Sequence, residues 1–452
     1  MKKKSYFNCN ECGYRSAKWL GKCPSCDSWD TFQEVIEDNN KNHFNKAKSN
    51  TITTTNILKI SDINTENNFR IKTNINELDR VLGGGVVPGS LILVGGDPGI
   101  GKSTLLLQMS SSLIENNPLY ITGEESLNQI KLRANRLGNI SPDLNILCET
   151  NIENINSAIL NSDAKIIILD SIQSVYSERS DSTPGSILQV RECASLMMQT
   201  AKQTGKSIFL IGHVTKDGMI AGPKILEHLV DTVLQFEGDK TYSYRILRAL
   251  KNRYGSTNEI GIFEMQDKGM KEVNNPSELF LAQRHSQEPG IAISATIEGS
   301  RTILLEVQAL VTPSGYGIPQ RVSNGFDQRR LQMIISVLEK RLGLPFRNND
   351  IFINIAGGLY INDPAVDLAI AMAIISSLKD YPINNNTVFI GEIGLTGEIR
   401  QVSQIEQRIN ESIKLGFKQI YLSNNPFEES GKNKNNIKVI HRISLALTDI
   451  FI

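Results

Sequence analysis

The sequence has little of several features that would mark a special class of protein. No apolar run approaches the roughly 20 residues needed to cross a bilayer, and the basic start MKKKSYFNCNEC is not followed by an apolar segment. A cytoplasmic location without membrane contact is therefore expected. The 48 basic and 48 acidic residues cancel, so no global field attracts nucleic acid, and any such contact must come from local clusters.

Cysteine is also scarce, and its placement is informative. Six cysteines in 452 residues are too few for a disulfide scaffold, but four of them form two identical Cys-x2-Cys spacings within the first 26 residues. Each spacing lets two thiolates converge on one ion, and two such turns supply the ligands of a closed, structural Zn²⁺ site. The predicted zinc ligands are Cys9, Cys12, Cys23 and Cys26.

The cysteine module also contains both tryptophans of the chain, Trp19 and Trp29. So short a module has little else to bury, and we expect both rings to form a small core around the ion rather than a base-stacking platform. Lys18 and Lys22 fit contact with nucleic acid or a partner equally as well as a solvated surface.

The rest of the chain divides by pattern. Short β-rich runs (SLILVGG, PLYIT, KIIILD, SIFLIG) alternate with helical patterns, which predicts an α/β fold with a mostly parallel sheet covered on both faces. Three further strands, TVLQFE, YSYRILRAL and EIGIFEM, are expected to form an antiparallel extension of this sheet. The predicted domains are a zinc module (1–36), a polar linker (37–66), an α/β domain (67–272) and an α+β domain (273–452).

A glycine-rich segment follows the run LILVG and precedes the helical pattern TLLLQM. Strand, loop and helix in this order form a phosphate loop, whose backbone N–H groups surround phosphates at a helix N-terminus. Lys102 is expected to reach the β- and γ-phosphate oxygens and Ser103 to ligate Mg²⁺. The predicted ATP-binding residues are Gly96, Asp97, Pro98, Gly99, Ile100, Gly101, Lys102, Ser103 and Thr104.

Two adjacent glutamates follow the run PLYIT, and their roles can be separated. Ser126 and Gln129 have capping-box spacing, so Ser126 is expected to begin a helix, with Glu125 just outside it to complement the helix dipole. Glu124 then stands at the strand end, where a carboxylate can orient the attacking water. We therefore predict Glu124 as the catalytic residue.

Two further polar residues follow apolar runs. Asp170 ends KIIILD and is expected to hold the Mg²⁺ shell of the nucleotide. His213 follows SIFLIG, where a polar side chain can sense the γ-phosphate and pass the signal to the loop 214–222. A purely structural role for this histidine is an equal alternative.

The motifs together resemble a known family. The cysteine module, FRIKTNINELDRVLGGGVVPGSLILVGGDPGIGKST, YITGEES, LDSIQSV, LIGHVTK and KNRYG occur in the order found in the bacterial RadA (Sms) DNA repair proteins. The resemblance covers nearly the whole chain outside the linker. It implies a RecA-like P-loop ATPase core, a C-terminal domain similar to that of Lon protease, and hexameric rings that act with the RecA recombinase on single-stranded and branched DNA.

A Lon-type peptidase activates a serine with a lysine, and neither residue is present at the matching positions. Asp363 is a natural N-cap and Pro364 a natural first helical residue, but the nucleophile position holds Ala365. The lysine position holds Glu406, which has capping-box spacing from Ser403. We therefore predict a proteolytically inactive scaffold used in ring assembly or for carrying duplex DNA.

One basic cluster in this domain, QRVSNGFDQRRLQM, is compatible with phosphate contacts through Arg321, Arg329 and Arg330. The chain departs from the family pattern nearby, because Gln320 and Tyr360 stand where arginines are expected. Weaker binding of duplex DNA by this domain is the consequence that we expect.

The segment KNRYG (251–255) lies between two alternating apolar runs and is expected to connect them as a hairpin, with Gly255 at positive φ. Such a turn does not need Lys251, Arg253 or Tyr254. Three roles remain open: a solvated turn, a source of cations for the ATP site of a neighbouring subunit, and a DNA contact in which Tyr254 stacks on a base. The ATP site and the resemblance favour the two functional roles, so Lys251 and Arg253 are predicted as catalytic.

Three functions remain on sequence grounds. The favoured one is a DNA-stimulated ATPase that drives branch migration in recombinational DNA repair, with ATP, Mg²⁺ and Zn²⁺ as cofactors. An ATP-dependent Lon-like peptidase is the alternative, and it requires a nucleophile that the sequence lacks. The third is a regulatory module that binds nucleotide without responding to DNA.

Overall fold

The computed structural model of the protein describes residues 5–9, 15–24, 29–36, 59, 70–180, 182–213, 223–238, 244–281, 288–315, 317–427 and 437–451. The chain divides into two compact units. The first comprises Met1–Glu237, Leu247–Thr257 and Met265–Met270, and the second Gly238–Ile246, Asn258–Glu264 and Lys271–Ile452. Each helix among the described residues is too short or too polar to cross a bilayer.

The cysteine module forms a small antiparallel sheet of β1 (Ser5–Cys9), β2 (Arg15–Ser16) and β3 (Phe32–Ile36), in the order β2-β1-β3. Its apolar cluster is made of two of the cysteines and three further side chains. These residues are Cys9, Cys23, Phe32, Phe7 and Leu20.

The prediction that the two tryptophans form this core is wrong. Trp19 is 52% exposed and Trp29 is 73% exposed. The reason is that Phe7, Leu20 and Phe32 already pack beside the buried cysteines, so the module has a core without either indole ring.

The next elements alternate between strand and helix, as predicted, because short aliphatic runs bury completely while the segments between them carry helical periodicity. They are α1 (Asn76–Val81), β4 (Leu91–Gly95), α2 (Lys102–Ser112), β5 (Leu119–Thr122), α3 (Leu127–Leu137), β6 (Asn145–Cys148), α4 (Ile152–Asn161), β7 (Ile166–Asp170), α5 (Ile187–Thr204), β8 (Ser207–Ile211), α6 (Pro223–Leu229), β9 (Thr232–Glu237), β10 (Tyr244–Asn252), β11 (Ile260–Gln266) and β12 (Gly269–Glu272).

Strands β4 to β12 form a nine-stranded sheet among the described residues, in the order β12-β11-β10-β9-β4-β8-β7-β5-β6. Strands β4, β5, β6, β7, β8 and β9 pair in parallel. Parallel strands end at the same edge of a sheet, so the residues that follow β4, β5, β7 and β8 are brought together there. This edge holds the predicted ATP site.

The second unit is an α+β structure. Its elements are α7 (Pro276–Leu281), β13 (Ile291–Glu298), β14 (Arg301–Pro313), β15 (Arg321–Asn324), α8 (Gln328–Leu342), β16 (Asn349–Ile355), α9 (Asp367–Lys379), β17 (Thr387–Phe389), β18 (Glu392–Ile393), β19 (Ile399–Arg400), α10 (Ile405–Lys414), β20 (Gln419–Leu422), β21 (Ile437–Val439) and α11 (Ile443–Phe451). The main sheet among these described residues has the order β15-β16-β14-β13-β17-β20-β21, and β18 pairs with β19.

Two predicted helix starts in this unit have different outcomes. Asp363 caps a short 3-10 turn with Pro364 in its first position, as predicted, and its carboxylate accepts a hydrogen bond from the N–H of Ala365. The predicted capping box of Ser403 and Glu406 is wrong. Helix α10 starts after Gln404, which adopts the left-handed conformation at φ 53° and makes no side-chain cap.

Helix α9 is buried on almost every side, and its first residue carries a charge. Asp367 is fully buried and accepts hydrogen bonds from Nε and Nη2 of Arg330, each at 2.6 Å, and from the N–H of Ile393 at 3.1 Å. Burial raises the pKa of Asp367, and Arg330 opposes that effect. This ion pair fixes helix α8 to the start of α9.

The three arginines that were predicted to contact phosphates do not form one available basic cluster. Arg330 is committed to Asp367, and Arg321 donates to backbone carbonyls, including that of Phe346 at 2.7 Å. Arg329 is exposed. The spacing of the arginines in the sequence did not show that Arg321 and Arg330 form hydrogen bonds within the protein.

Replacing Arg330 with methionine should lower the free energy of unfolding of the second unit by about 3–5 kcal/mol, because Asp367 is left buried without its cation. The loss should be smallest at low pH, since the missing cation raises the folded-state pKa of Asp367 further and protonation then removes the uncompensated charge. Hydrogen exchange of the α9 amides in the full chain measures this change. Arg329→Met is the matched control, and equal protection in both variants would contradict the account.

Candidate active site

The phosphate loop (residues 96–104) joins β4 to α2 and has the geometry that phosphate binding requires. Gly96, Gly99 and Gly101 have φ of 145°, 79° and 114°, a region that side chains disfavour. A Cβ atom on Gly101 would meet the terminal methyl groups of Met270 and Met265, which are the flexible ends of their side chains, so the positive φ is the main reason for glycine at this position. Helix α2 begins at Lys102, so its N-terminal N–H groups face the site.

Lys102 is almost completely buried within this loop. Its Nζ donates to the carbonyl oxygens of Gly96 at 2.7 Å and Asp97 at 2.9 Å, and lies 3.3 Å from Nδ1 of His213. Burial lowers the pKa of Lys102 to about 8, although nearby carboxylates act in the opposite direction. A phosphate anion beside the ammonium would restore the charged form.

Glu124 and His213 meet at the same place. Because the Lys102 ammonium can only donate, Nδ1 of His213 accepts from it and Nε2 carries the proton that is donated to Oε1 of Glu124, at 3.1 Å. The Ser171 hydroxyl donates to the same oxygen. The bond from His213 is the largest cause that lowers the pKa of Glu124, while burial opposes it. An ionised carboxylate thus stands next to the phosphate loop, with its side chain 42% exposed.

The neighbouring glutamate has a different role. The capping box of Ser126 and Gln129 is confirmed at the start of α3. Glu125, just before α3, forms an ion pair with Arg133 of that helix. This ion pair stabilises the charge of Glu125 in addition to the helix dipole. Glu125 is thus held away from the reaction that we predict for Glu124.

Asp170 ends β7 and is nearly fully buried. The hydroxyl of Tyr120 donates to its Oδ2 at 2.5 Å, and Ser103 also hydrogen-bonds to Tyr120. Burial raises the pKa of Tyr120, and Asp170 adds to this effect. Ser103 and Asp170, which are both predicted to hold Mg²⁺, are therefore connected through the hydroxyl group of Tyr120. This geometry is compatible with both side chains binding one cation.

Sequence reasoning missed Tyr120 and Ser171. Tyr120 carries a phenol hydroxyl in the buried strand β5, and Ser171 directly follows Asp170. A buried hydroxyl group needs a hydrogen-bond partner, so a tyrosine in a buried strand could have been predicted to contact a polar residue of the site. No comparable signal identified the serine.

The KNRYG segment lies near the start of β4, whereas the phosphate loop of the same chain follows the end of that strand. Strands β4 and β9 are parallel and start together, and Asn252 contacts the first residue of β9, Thr232, at 3.4 Å. The phosphate loop follows the opposite end of β4, after Gly95. A strand of five residues spans about 13 Å, so Lys251 and Arg253 are not part of the ATP site of their own chain.

The two cations of the segment have different surroundings. Lys251 donates to the carbonyl oxygens of Glu227 and Val230, the latter at 2.8 Å, at the end of α6. Burial lowers the pKa of Lys251, and Arg253 lowers it further. Arg253 lies 3.4 Å from Asp231, and its side chain is 53% exposed. Arg253 is thus the more accessible of the two.

The predicted positive φ of Gly255 is wrong. Glycine is required there for a different reason: a Cβ atom would lie 2.9 Å from Nδ2 of Asn252 and 3.1 Å from Cα of Gly83. The Tyr254 hydroxyl accepts a hydrogen bond from Lys202 at 3.1 Å. Close packing against the body of the first unit, rather than turn geometry, shapes the segment.

The predicted zinc ligands are described in part. Cys9 and Cys23 are fully buried in one cluster, and the Thr31 hydroxyl lies 3.1 Å from Sγ of Cys9. Cys12 and Cys26 lie outside the described residues, and no group of three or more candidate ligands occurs within the described ones. Two buried thiols with a hydroxyl beside one of them fit half of a four-thiolate site, since a hydroxyl can orient a ligating sulfur.

The two positions that match the Ser-Lys dyad of a Lon-type peptidase hold neither a serine nor a lysine. Ala365 is fully buried, and Glu406 is exposed on α10. Arg408 of the same helix is instead buried and donates to Asp363 at 2.6 Å. This region is a packed ion pair rather than a nucleophile with its base.

The phosphate loop, the carboxylates that follow β5 and end β7, and the order of the parallel strands define a RecA-like P-loop ATPase core. Family models agree with this class. A model of the rubredoxin metal binding domain matches residues 7–34, an AAA domain matches 56–219, and subunit ChlI of Mg-chelatase matches 317–425. ATP and zinc are the ligands that these domains support.

Curated relatives define the family. The chain is 51% identical to the DNA repair protein RadA of Halalkalibacterium halodurans over 426 residues (93% of each chain) and 51% identical to that of Bacillus subtilis over 424 residues (93% of each). RadA of Listeria monocytogenes is 49% identical over 441 residues, which are 97% of this chain and 96% of the relative. The chain belongs to the RadA family of DNA repair proteins.

Glu124→Gln should lower ATP turnover by about two orders of magnitude, because the amide keeps the shape but loses the charge that orients water. ATP affinity should change little, since Lys102 and the loop N–H groups are retained. Steady-state turnover and binding of a fluorescent ATP analogue measure the two effects. Glu125→Gln is the matched control, and a reversed pattern between the two variants would show that the wrong glutamate was assigned.

ATP affinity should fall as the pH rises above about 8, because the Lys102 ammonium of the ATP-free protein is then lost. Bound phosphates favour the protonated lysine, so binding takes up a proton in this range, and affinity should drop by up to about tenfold per pH unit. Titrations with the ATP analogue across this range measure the slope. Lys102→Arg should show a flat profile because a guanidinium does not titrate there, and parallel profiles for the two proteins would refute the assignment.

Proposed function

We propose that the protein is a DNA-stimulated ATPase motor that drives branch migration of recombination intermediates during recombinational repair. Membership of the RadA family supports a role in DNA repair. The Lys102, Glu124 and His213 cluster supports ATP hydrolysis. Single-stranded and branched DNA are the substrates that we propose, with the RecA recombinase as partner.

The observation that carries the proposal is the position of the KNRYG segment. Within one chain, the segment and the phosphate loop lie at opposite ends of β4. A head-to-tail contact between identical chains brings two different surfaces together and closes into a ring when the rotation permits. In such a ring the segment of one subunit can meet the ATP site of the next, and we propose a hexamer of this kind.

The chemistry then divides between two subunits. One chain binds the nucleotide through its loop N–H groups and Lys102 and orients the attacking water with Glu124. Ser103 and Asp170 are the residues that would hold Mg²⁺, which when bound neutralises phosphate charge. Arg253 of the next subunit would stabilise the charge that develops on the γ-phosphate, while the hydrogen bonds of Lys251 to the end of α6 hold the segment in place.

His213 provides the link to movement. It contacts both Lys102 and Glu124, and it immediately precedes the loop 214–222, which lies outside the described residues. A change at the γ-phosphate would alter the partners of this ring and so the start of the loop. We propose that this coupling makes hydrolysis respond to DNA.

The peptidase alternative has no support. The methyl group of Ala365 cannot act as a nucleophile, and its position is fully buried. We propose that the C-terminal unit is an inactive scaffold used in ring assembly or for carrying duplex DNA.

ATP turnover should rise when single-stranded DNA is added, and Lys251→Ala should bind ATP normally yet lose both this stimulation and branch migration. The reason is that the alanine variant frees the segment from the end of α6. Turnover and movement of a branched DNA substrate are measured with and without DNA. Lys131→Ala, on an exposed face of α3, is the control. Turnover that does not respond to DNA in the wild-type protein would favour a regulatory module instead.

A further inference from the structure

The exposed tryptophans of the cysteine module lie together. Trp19 and Trp29, the tryptophan pair, are 52% and 73% exposed. A Cβ atom on Gly21 would lie 3.8 Å from the ring of Trp19 and 3.9 Å from the ring of Trp29. Both indoles therefore border one glycine, where a side chain would fill the space beside them.

The local backbone holds this arrangement. The N–H of Asp30 donates to the carbonyl oxygen of Gly21 at 2.9 Å, and Lys22 forms a β-bridge with Trp29. On the other side, the Ser16 hydroxyl donates to the carbonyl oxygen of Lys18 at 2.6 Å and accepts from its N–H at 3.2 Å. The two tryptophan rings thus project from turns that hydrogen bonds hold in place.

Packing does not explain the tryptophan pair. The core of the module consists of Phe7, Leu20 and Phe32 beside the buried cysteines. Leaving two large apolar rings in water gives up about 2 kcal/mol or more of burial for each ring, and contiguous exposed apolar surface commonly marks a binding site. The pair is therefore a candidate binding surface rather than part of the core of the module.

The charges around the pair indicate what kind of ligand. Lys18 and Lys22 are exposed on either side of Gly21, with Asp30 as the acidic neighbour. Aromatic faces flanked by cations suit an unpaired nucleic-acid strand, whose bases stack on the rings while its phosphates meet the cations.

We propose that the tryptophan pair is a stacking platform for unpaired bases of single-stranded DNA, with Lys18 and Lys22 directed to the phosphates. The proposal rests on the proposed function, because that function supplies the single-stranded substrate. Every base has an aromatic face, so the platform binds without sequence preference. It places a strand contact in the module that precedes the ATPase core.

The chain provides its own probe, because Trp19 and Trp29 are its two tryptophans. Indole emission of the full-length, zinc-loaded protein, excited at the red edge of the tryptophan band, should be quenched to saturation by oligothymidylate. A blunt duplex of the same length should not quench it. Trp29→Phe leaves Trp19 as the single reporter, and its emission should still respond.

Binding is measured separately by anisotropy of a labelled oligothymidylate. Trp19→Ala and Trp29→Ala should each weaken the affinity about tenfold, whereas the phenylalanine variants should retain most of it. Lys18→Ala should reduce the slope of log affinity against log salt by about 0.7. Zinc content equal to that of the wild-type protein shows that each variant retains its module.

Two outcomes overturn the proposal. One is DNA that stimulates ATP turnover while leaving the indole emission unchanged, since stacking must alter it. The other is a zinc-loaded Trp19→Ala, Trp29→Ala double variant that binds oligothymidylate as the wild type does, which would leave the pair as a protein-docking surface. Quenching without stimulation of turnover would instead retain the platform and reject the proposed motor function.

Discussion

One buried carboxylate fixes the geometry on which the rest of the ATPase unit depends. Asp231 is fully buried and accepts hydrogen bonds from the N–H of Leu91 at 3.0 Å and from Lys202 at 2.8 Å, and Arg253 lies 3.4 Å away. Its own N–H donates to the carbonyl oxygen of Leu91 at 2.9 Å. These contacts start β4 and β9 in register and attach the KNRYG segment to them. Because β4 carries the phosphate loop at its other end, these contacts place the KNRYG segment one strand length away from that loop.

At the opposite end of β4, Lys102 connects the phosphate loop to Glu124, the predicted catalytic carboxylate. Lys102 contacts loop carbonyls and His213, and His213 contacts Glu124. Burial disfavours the charge on Lys102, so the site is energetically prepared for an anion. The proposed role of His213 depends on these two contacts, because a change in the partners of Lys102 on phosphate binding would reach Glu124 through the same imidazole ring.

Local patterns explain why much of this could be predicted from the sequence. The phosphate loop and the capping box at Ser126 depend on residues a few positions apart, and aliphatic runs identified the buried strands. Long-range contacts could not be predicted: Tyr120 meets a carboxylate 50 positions away, and Asp231 joins segments that no periodicity connects. The tryptophan pair was misjudged because burial depends on whether other side chains complete the core first. The start of α10 was misjudged because Gln404 takes a left-handed conformation that spacing alone does not reveal.

The central claim is that each ATP site is completed by the KNRYG segment of a neighbouring subunit, and mixing two inactive variants tests it most directly. Lys102→Ala retains the segment and Arg253→Ala retains the phosphate loop, and we expect neither variant to hydrolyse ATP alone. In rings formed from equal amounts of both, about one interface in four combines the intact parts. DNA-stimulated turnover should return in the mixture and follow the mixing ratio. Mixtures that form rings but stay inactive at every ratio would contradict it.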